Sequence, residues 1–186
     1  ALIVLNCIRA SFAVSADPAP ITKDELLSKV RVADWKEKVG MKGFKGRHGL
    51  TVGELGLAME TVLKTYLIPY ANFAAVRVHP DMEKPTEMKD RLLALLSRMP
   101  EQPHLYLIAH FTQGVYVGDW FGGHISPVGA FDPERREVFV LDVDQEIEGP
   151  YWVPFDLFFE GLVGEKKTLG TKGGGYVSFK RPCIIP

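Results

Sequence analysis

The sequence predicts an α+β fold, with a helical N-terminal half followed by an antiparallel sheet. Two observations carry this. Up to residue 100, apolar side chains recur mostly at helical spacing behind recognisable caps. From residue 104 the period drops to two, and turn residues separate short runs rich in β-branched and aromatic residues. Strands and helices do not alternate as βα units, so a doubly wound parallel sheet is not expected. With 186 residues, 46% of them apolar, the chain reads as one domain over 1–186.

The elements follow in order. Ala1 to Phe12 is an apolar run with no capping residue and no polar lead-in, expected as a buried helix without its first turn and hence as part of a longer chain. Ala13-Val14-Ser15-Ala16 also fits a signal-cleavage site, although no basic stretch precedes the apolar run. Thr22 to Glu25 and Thr51 to Glu54 are capping boxes. The first opens a helix through Leu26, Leu27 and Val30; the second opens one through Leu55, Met59, Val62 and Leu63. Between them, residues 40–49 form a glycine-rich surface loop with Lys42, Lys45, Arg47 and His48, without Walker spacing. Phe73 to Val78 reads as a strand, and Pro85 opens a helix closed by Pro100. Then come strands at 104–110, 115–117, 125–131, 137–143 and 176–179, with Asp132 to Arg136 and Gly173 to Gly175 as turns.

Composition excludes several classes. Twenty-two basic against 23 acidic residues argues against nucleic acid or an anionic membrane as partner. No apolar run is long enough to span a membrane. Cys7 and Cys183 form no C-x-x-C pair, and His48, His79, His104, His110 and His124 show no metal-ligand spacing.

One hairpin draws attention to chemistry. Folding 125–131 back on 137–143 about the Asp132–Arg136 turn places residue 124 opposite 142 or 144. His124 and Asp142 then share a face, because side chains alternate with period two. Cross-strand or diagonal neighbours lie roughly 5–8 Å apart at Cβ, within reach of an imidazole–carboxylate hydrogen bond. A turn shifted by one residue breaks that parity. Asp142 stands alone in an apolar strand, and a buried carboxylate needs a partner. The imidazole supplies one, and the pair fixes its tautomer and stabilises the imidazolium. A core histidine satisfied by a strand-end aspartate is the plainer alternative. For a nucleophile, Cys7 is the first candidate, but it lies two turns into an apolar helix, where it is expected to pack as a small hydrophobe. Cys183 sits in a proline-flanked tail, and Ser11 and Ser126 lack a nucleophile-elbow context.

The run Gly123-His124-Ile125-Ser126-Pro127-Val128-Gly129-Ala130-Phe131 is followed by Leu141-Asp142-Val143 and then by Pro150-Tyr151-Trp152-Val153-Pro154. The series resembles the catalytic domain of phytochelatin synthases. There a G-H-[FI]-S-P run is followed, eighteen residues after its His, by the Asp of an L-D-V or M-D-V strand, then by a P-x-W-V segment and an amphipathic helix. Phe155 to Leu162 fits that helix, and Leu5-Asn6 resembles the end of the family's central helix. The resemblance is densest over 122–158.

The resemblance implies a papain-like fold and a Cys-His-Asp triad, with His124 and Asp142 as its last two members and Gly123 and Ser126 in the substrate pocket. It places the nucleophilic Cys, and an oxyanion-stabilising Gln, in sequence before Ala1. That counts against Cys7 and makes the chain inactive by itself. The implied reaction is transfer of γ-glutamylcysteine from glutathione, or a related γ-glutamyl thiol peptide, making phytochelatins for heavy-metal detoxification. No tightly bound cofactor is implied; heavy-metal ions (Cd, Zn, Cu) enter as thiolate complexes of the substrate. Gln113 and Gln145 stand where the family carries basic residues suited to glutathione carboxylates; Arg135, Arg136 or the 42–47 loop are possible substitutes. Two further readings stay open. One is a glutathione-type peptidase that ends in hydrolysis. The other is a catalytically inactive binding module with Cys7 as a bystander.

Overall fold

The computed structural model describes residues 1–11, 19–40, 43, 45, 49–79, 84–118, 122–143, 149–164 and 174–182. The cleavage-site motif at 13–16, Lys42, Arg47, His48, Gln145 and Cys183 lie outside the described residues.

Helices dominate the first half. Helix α1 (Leu2–Ala10) buries Val4, Leu5 and Ile8, one stripe of an amphipathic helix. Asn6 fastens the returning chain to it: its Oδ1 accepts from Ile21 N at 2.9 Å and its Nδ2 donates to Ile21 O at 3.1 Å. Helix α2 (Lys23–Lys29) follows, then a single turn, α3 (Trp35–Lys38), that sequence reading missed. Helix α4 (Val52–Thr65) carries a complete capping box between Thr51 and Glu54. The box expected at α2 is only half made: Thr22 accepts from Glu25 N, while the Glu25 carboxylate turns to Lys29 at 2.8 Å.

The second half supplies most of the sheet. Its strands are β1 (Ala71–Val78), β2 (Leu105–Thr112), β3 (Gly123–Asp132), β4 (Glu137–Val140), β5 (Tyr151–Pro154) and β6 (Gly174–Lys180). They form one six-stranded sheet in the order β1-β6-β2-β3-β4-β5, with every neighbouring pair antiparallel. Between the strands lie α5 (Pro85–Leu96), a 3-10 turn at Met99–Glu101, α6 (Gly114–Val117) and α7 (Phe155–Val163). The α+β expectation holds. Two details change: residues 115–117, expected as a strand, are the helical turn α6, and the strand expected at 137–143 ends at Val140.

The sheet is covered on both faces because side chains alternate along each strand. Ile108, Val177 and Phe179 face α1, α2 and α4. Leu107, Ala109, Phe111 and Tyr176 face α5 and α7, where Leu92, Leu96, Phe158 and Leu162 are fully buried. Each such side chain contributes roughly 1.5–3 kcal/mol by leaving water. The central strands β2 and β3 are thereby held from both sides, and β3 begins at the glycines that precede His124.

Candidate active site

His124 is the second residue of β3 and lies opposite Phe111 of β2, the ring centres 5.5 Å apart. Asp142 lies two residues beyond the end of β4. Its carboxylate is fully buried, and His124 Nε2 meets its Oδ1 at 2.9 Å. A buried carboxylate only accepts, so Nε2 donates. The tautomer that follows leaves Nδ1 with its lone pair, able to take a proton. The imidazole keeps 12% of its surface exposed, so the pair has a dry end and an accessible one.

A bulge brings the pair together. Below the turn, Asp132↔Glu137, Phe131↔Val138 and Ala130↔Phe139 are in register. Continued unbroken, that register sets residue 142 opposite 127, on the face away from His124. The register shifts between Val128 and Ala130, and Val128 pairs with Val140. Leu141 N then donates to Pro127 O at 2.9 Å, and Asp142 returns to the face of His124 as its diagonal neighbour. Gly129 forms the bulge because there is no room for more: a Cβ there would meet Leu141 Cγ at 2.9 Å.

Two further side chains reach the carboxylate. Tyr151 OH donates to Asp142 Oδ2 at 3.1 Å, and Gln113 Nε2 donates to the same oxygen at 3.4 Å. Neither residue is marked by its local sequence as a partner of Asp142. The available signal was a lone carboxylate whose two oxygens need more than one donor. Tyr116 of α6 braces the group, its OH donating to Phe158 O at 2.8 Å and its ring against Tyr151. Burial pushes the Tyr116 hydroxyl well above the usual phenol range, with Tyr151 adding to the effect.

The remaining candidates fall as follows. Gly123 is exposed at the start of β3. Ser126 is fully buried, with no hydrogen-bond partner for its Oγ among the described residues. Cys7, expected to pack as a small hydrophobe, is instead exposed. Its electrostatic neighbour is Tyr106. Tyr106 stands five residues along β2 from Phe111, about 16 Å in an extended strand. Arg135 and Arg136 sit at the far end of the β3–β4 hairpin beside Asp132 and Asp156, more than 20 Å along the strand from His124, and do not stand in for Gln113. Among the described residues, no three His, Cys, Asp or Glu side chains gather as a metal site.

A family model described as phytochelatin synthase matches residues 46–175, more than half of the chain and all of this site. The chain belongs to the phytochelatin synthase family. Curated relatives include glutathione gamma-glutamylcysteinyltransferase 3 of Lotus japonicus, 29% identical over 89 residues, which are 48% of this chain and 18% of the relative. Glutathione gamma-glutamylcysteinyltransferase 1 of Arabidopsis thaliana is 31% identical over 81 residues, 44% of this chain and 16% of the relative. The matched segments thus span less than a fifth of the length of these curated relatives. No helix among the described residues is long and apolar enough to cross a membrane.

Proposed function

We propose that this domain carries the base and its orienting carboxylate for γ-glutamylcysteine transfer from glutathione, on a papain-like scaffold. The observation that carries the reading is the 2.9 Å bond between His124 Nε2 and the buried Asp142, on a glycine-led strand within the family match. The thiol is assigned, through the resemblance, to sequence before Ala1. His124 Nδ1 takes the thiol proton, and the thiolate attacks the carbonyl of the Cys–Gly bond. The imidazolium returns that proton to the leaving glycine amine, and γ-glutamylcysteine stays on the sulfur as a thioester. The amine of a second glutathione, or of a phytochelatin, then attacks, giving up its proton through His124 and restoring the thiol. Asp142 stabilises the imidazolium in both halves. Heavy-metal ions take part as thiolate complexes of the substrate.

One observation favours hydrolysis as a second reading. Gln113, where the family carries a basic residue, is neutral, 6% exposed and bonded to Asp142, so it offers no charge to the carboxylate of a second glutathione. The test uses the complete protein with its upstream sequence. His124→Ala should abolish glycine release from glutathione, and retained release removes His124 from the mechanism. Product analysis separates the readings: thiol oligomers mean transfer, and free γ-glutamylcysteine alone means hydrolysis. A complete sequence with no Cys before Ala1 leaves the inactive binding module.

A further inference from the structure

We propose that Gln113 and Tyr151 are positioning residues, which clamp Oδ2 of Asp142 and thereby aim Oδ1 at His124. The inference deepens the functional reading above and rests on it for its catalytic consequence. The need for a clamp follows from where Asp142 sits. The β3–β4 ladder ends at Val140, and the bond from Leu141 N to Pro127 O at 2.9 Å carries its register to the residue before Asp142. Its carboxylate is fully buried, and its orientation is set by the groups that bond it. Oδ1 takes the imidazole at 2.9 Å, while Oδ2 takes Tyr151 at 3.1 Å and Gln113 at 3.4 Å.

Both donors are themselves held. Gln113 N donates to Gly122 O at 3.1 Å, and Gln113 O accepts from Tyr116 N at 2.8 Å. Tyr151 pairs with Val140 across β4–β5, and its ring rests against Tyr116. Tyr116 in turn fills the space over Gly161, where a Cβ would meet its ring at 2.3 Å. The clamp therefore comes from the junction of β2 with α6 and from β5, on either side of the β3–β4 hairpin. Both donors are also uncharged. They satisfy the carboxylate without neutralising it, so its charge remains for the imidazolium.

The reporter is His124 in the 186-residue chain, whose ring 15N shifts give tautomer and titration midpoint without catalysis. Among the described residues, the titratable groups coupled to the pair are Tyr151 on β5, which bonds Asp142, Tyr116 on α6, which packs on Tyr151, and His110 on β2, which lies on the other face of the sheet but feels the charge of His124; a His124→Asn sample identifies the His124 signals among those of the five histidines. Tyr151→Phe deletes one oxygen and keeps the ring. It should lower the ratio of Nε2–H to Nδ1–H tautomer at least threefold. Gln113→Lys sets a cation beside Oδ2 and should lower the His124 midpoint by about half a unit or more. In the complete protein, Tyr151→Phe should reduce kcat about tenfold with little change in KM. Unchanged tautomer and midpoint in variants with native circular dichroism and melting would overturn the clamp. If Gln113→Lys does not fold, Tyr151→Phe decides alone. A complete wild-type protein that releases no glycine, with clamp variants that still shift His124, defeats the functional reading and leaves the clamp standing.

Discussion

His110 shows how one residue can set a pH response. It lies on β2, 9% exposed, and its Nδ1 has no partner among the described residues. Burial, helped by the nearby charge of His124, lowers its pKa to about 4. An unfolded imidazole titrates near 6.5. The folded value is the lower one, so acid favours the unfolded chain. The contribution is complete above pH 6.5 and is lost as pH falls toward 4, at about 1.4 kcal/mol per unit of difference. His110→Asn should flatten that window, read as urea midpoints at pH 7.5 and 5. Glu54 acts lower down. Burial pushes its carboxyl up, but Lys38 together with the Thr51 N–H and hydroxyl outweighs this and holds it near 2. Its contribution is present above about 4.5 and drains as pH falls to 2, so His110→Asn should leave that second limb intact. Leu67 offers a gain. It follows α4 at φ 53° and is 89% exposed, with Ile68 N donating to Leu63 O at 2.9 Å and Leu67 N to Lys64 O at 3.2 Å. That is a Schellman cap with leucine in the glycine position. Leu67→Gly should stabilise by about 1 kcal/mol in chemical denaturation, since only the left-handed strain is removed; a loss of stability would contradict this.

Among the elements, the β3–β4 hairpin matters most. Asp132 Oδ1 accepts from Glu134 N at 2.9 Å and Arg135 N at 3.0 Å, and Arg136 takes φ 55°, so the turn chemistry is local and legible in Asp-Pro-Glu-Arg-Arg. The register that this turn starts would separate His124 from Asp142; the one-residue bulge at Gly129 reunites them. Gly129→Ala drives a methyl group into Leu141, the residue before Asp142. It should cost about 1–3 kcal/mol and disturb the His124 ring signals, whereas Gly53→Ala, with nothing within 4 Å, should not disturb them. Equal spectra for the two variants would remove the bulge from the argument. The helices were easier to read, because caps and apolar spacing are local. The exception is α6, whose Val-Tyr-Val looks like a strand. Tertiary packing of Tyr116 between Phe111 and Phe158 overrides that propensity.

In the whole molecule, two hydrophobic layers sandwich one sheet, and the site hangs at one end of its centre. Amide exchange should follow that plan. The slowest amides should lie in β2 and β6, which are hydrogen-bonded on both edges and nearly closed to solvent; β1 and β5, the outer strands, should exchange first. Protection in β5 equal to that in β2 would overturn this ordering. The C-terminal strand also ties back to the first helix, Arg181 Nη1 donating to Ser11 Oγ at 2.9 Å.

By itself, the sequence determined the α+β order, the capped helices, the turn of the hairpin and the identities of His124 and Asp142. Each rests on residues close in the chain, where periodicity, caps and a glycine-led motif can be read directly. Only the tertiary structure decided that His124 and Asp142 share a face, because a one-residue bulge reverses parity and leaves no local mark beyond one glycine. It also decided that Gln113 and Tyr151 converge on the same oxygen, and that Cys7 faces solvent instead of the core. Those are meetings between distant strands and helices, fixed by register and packing.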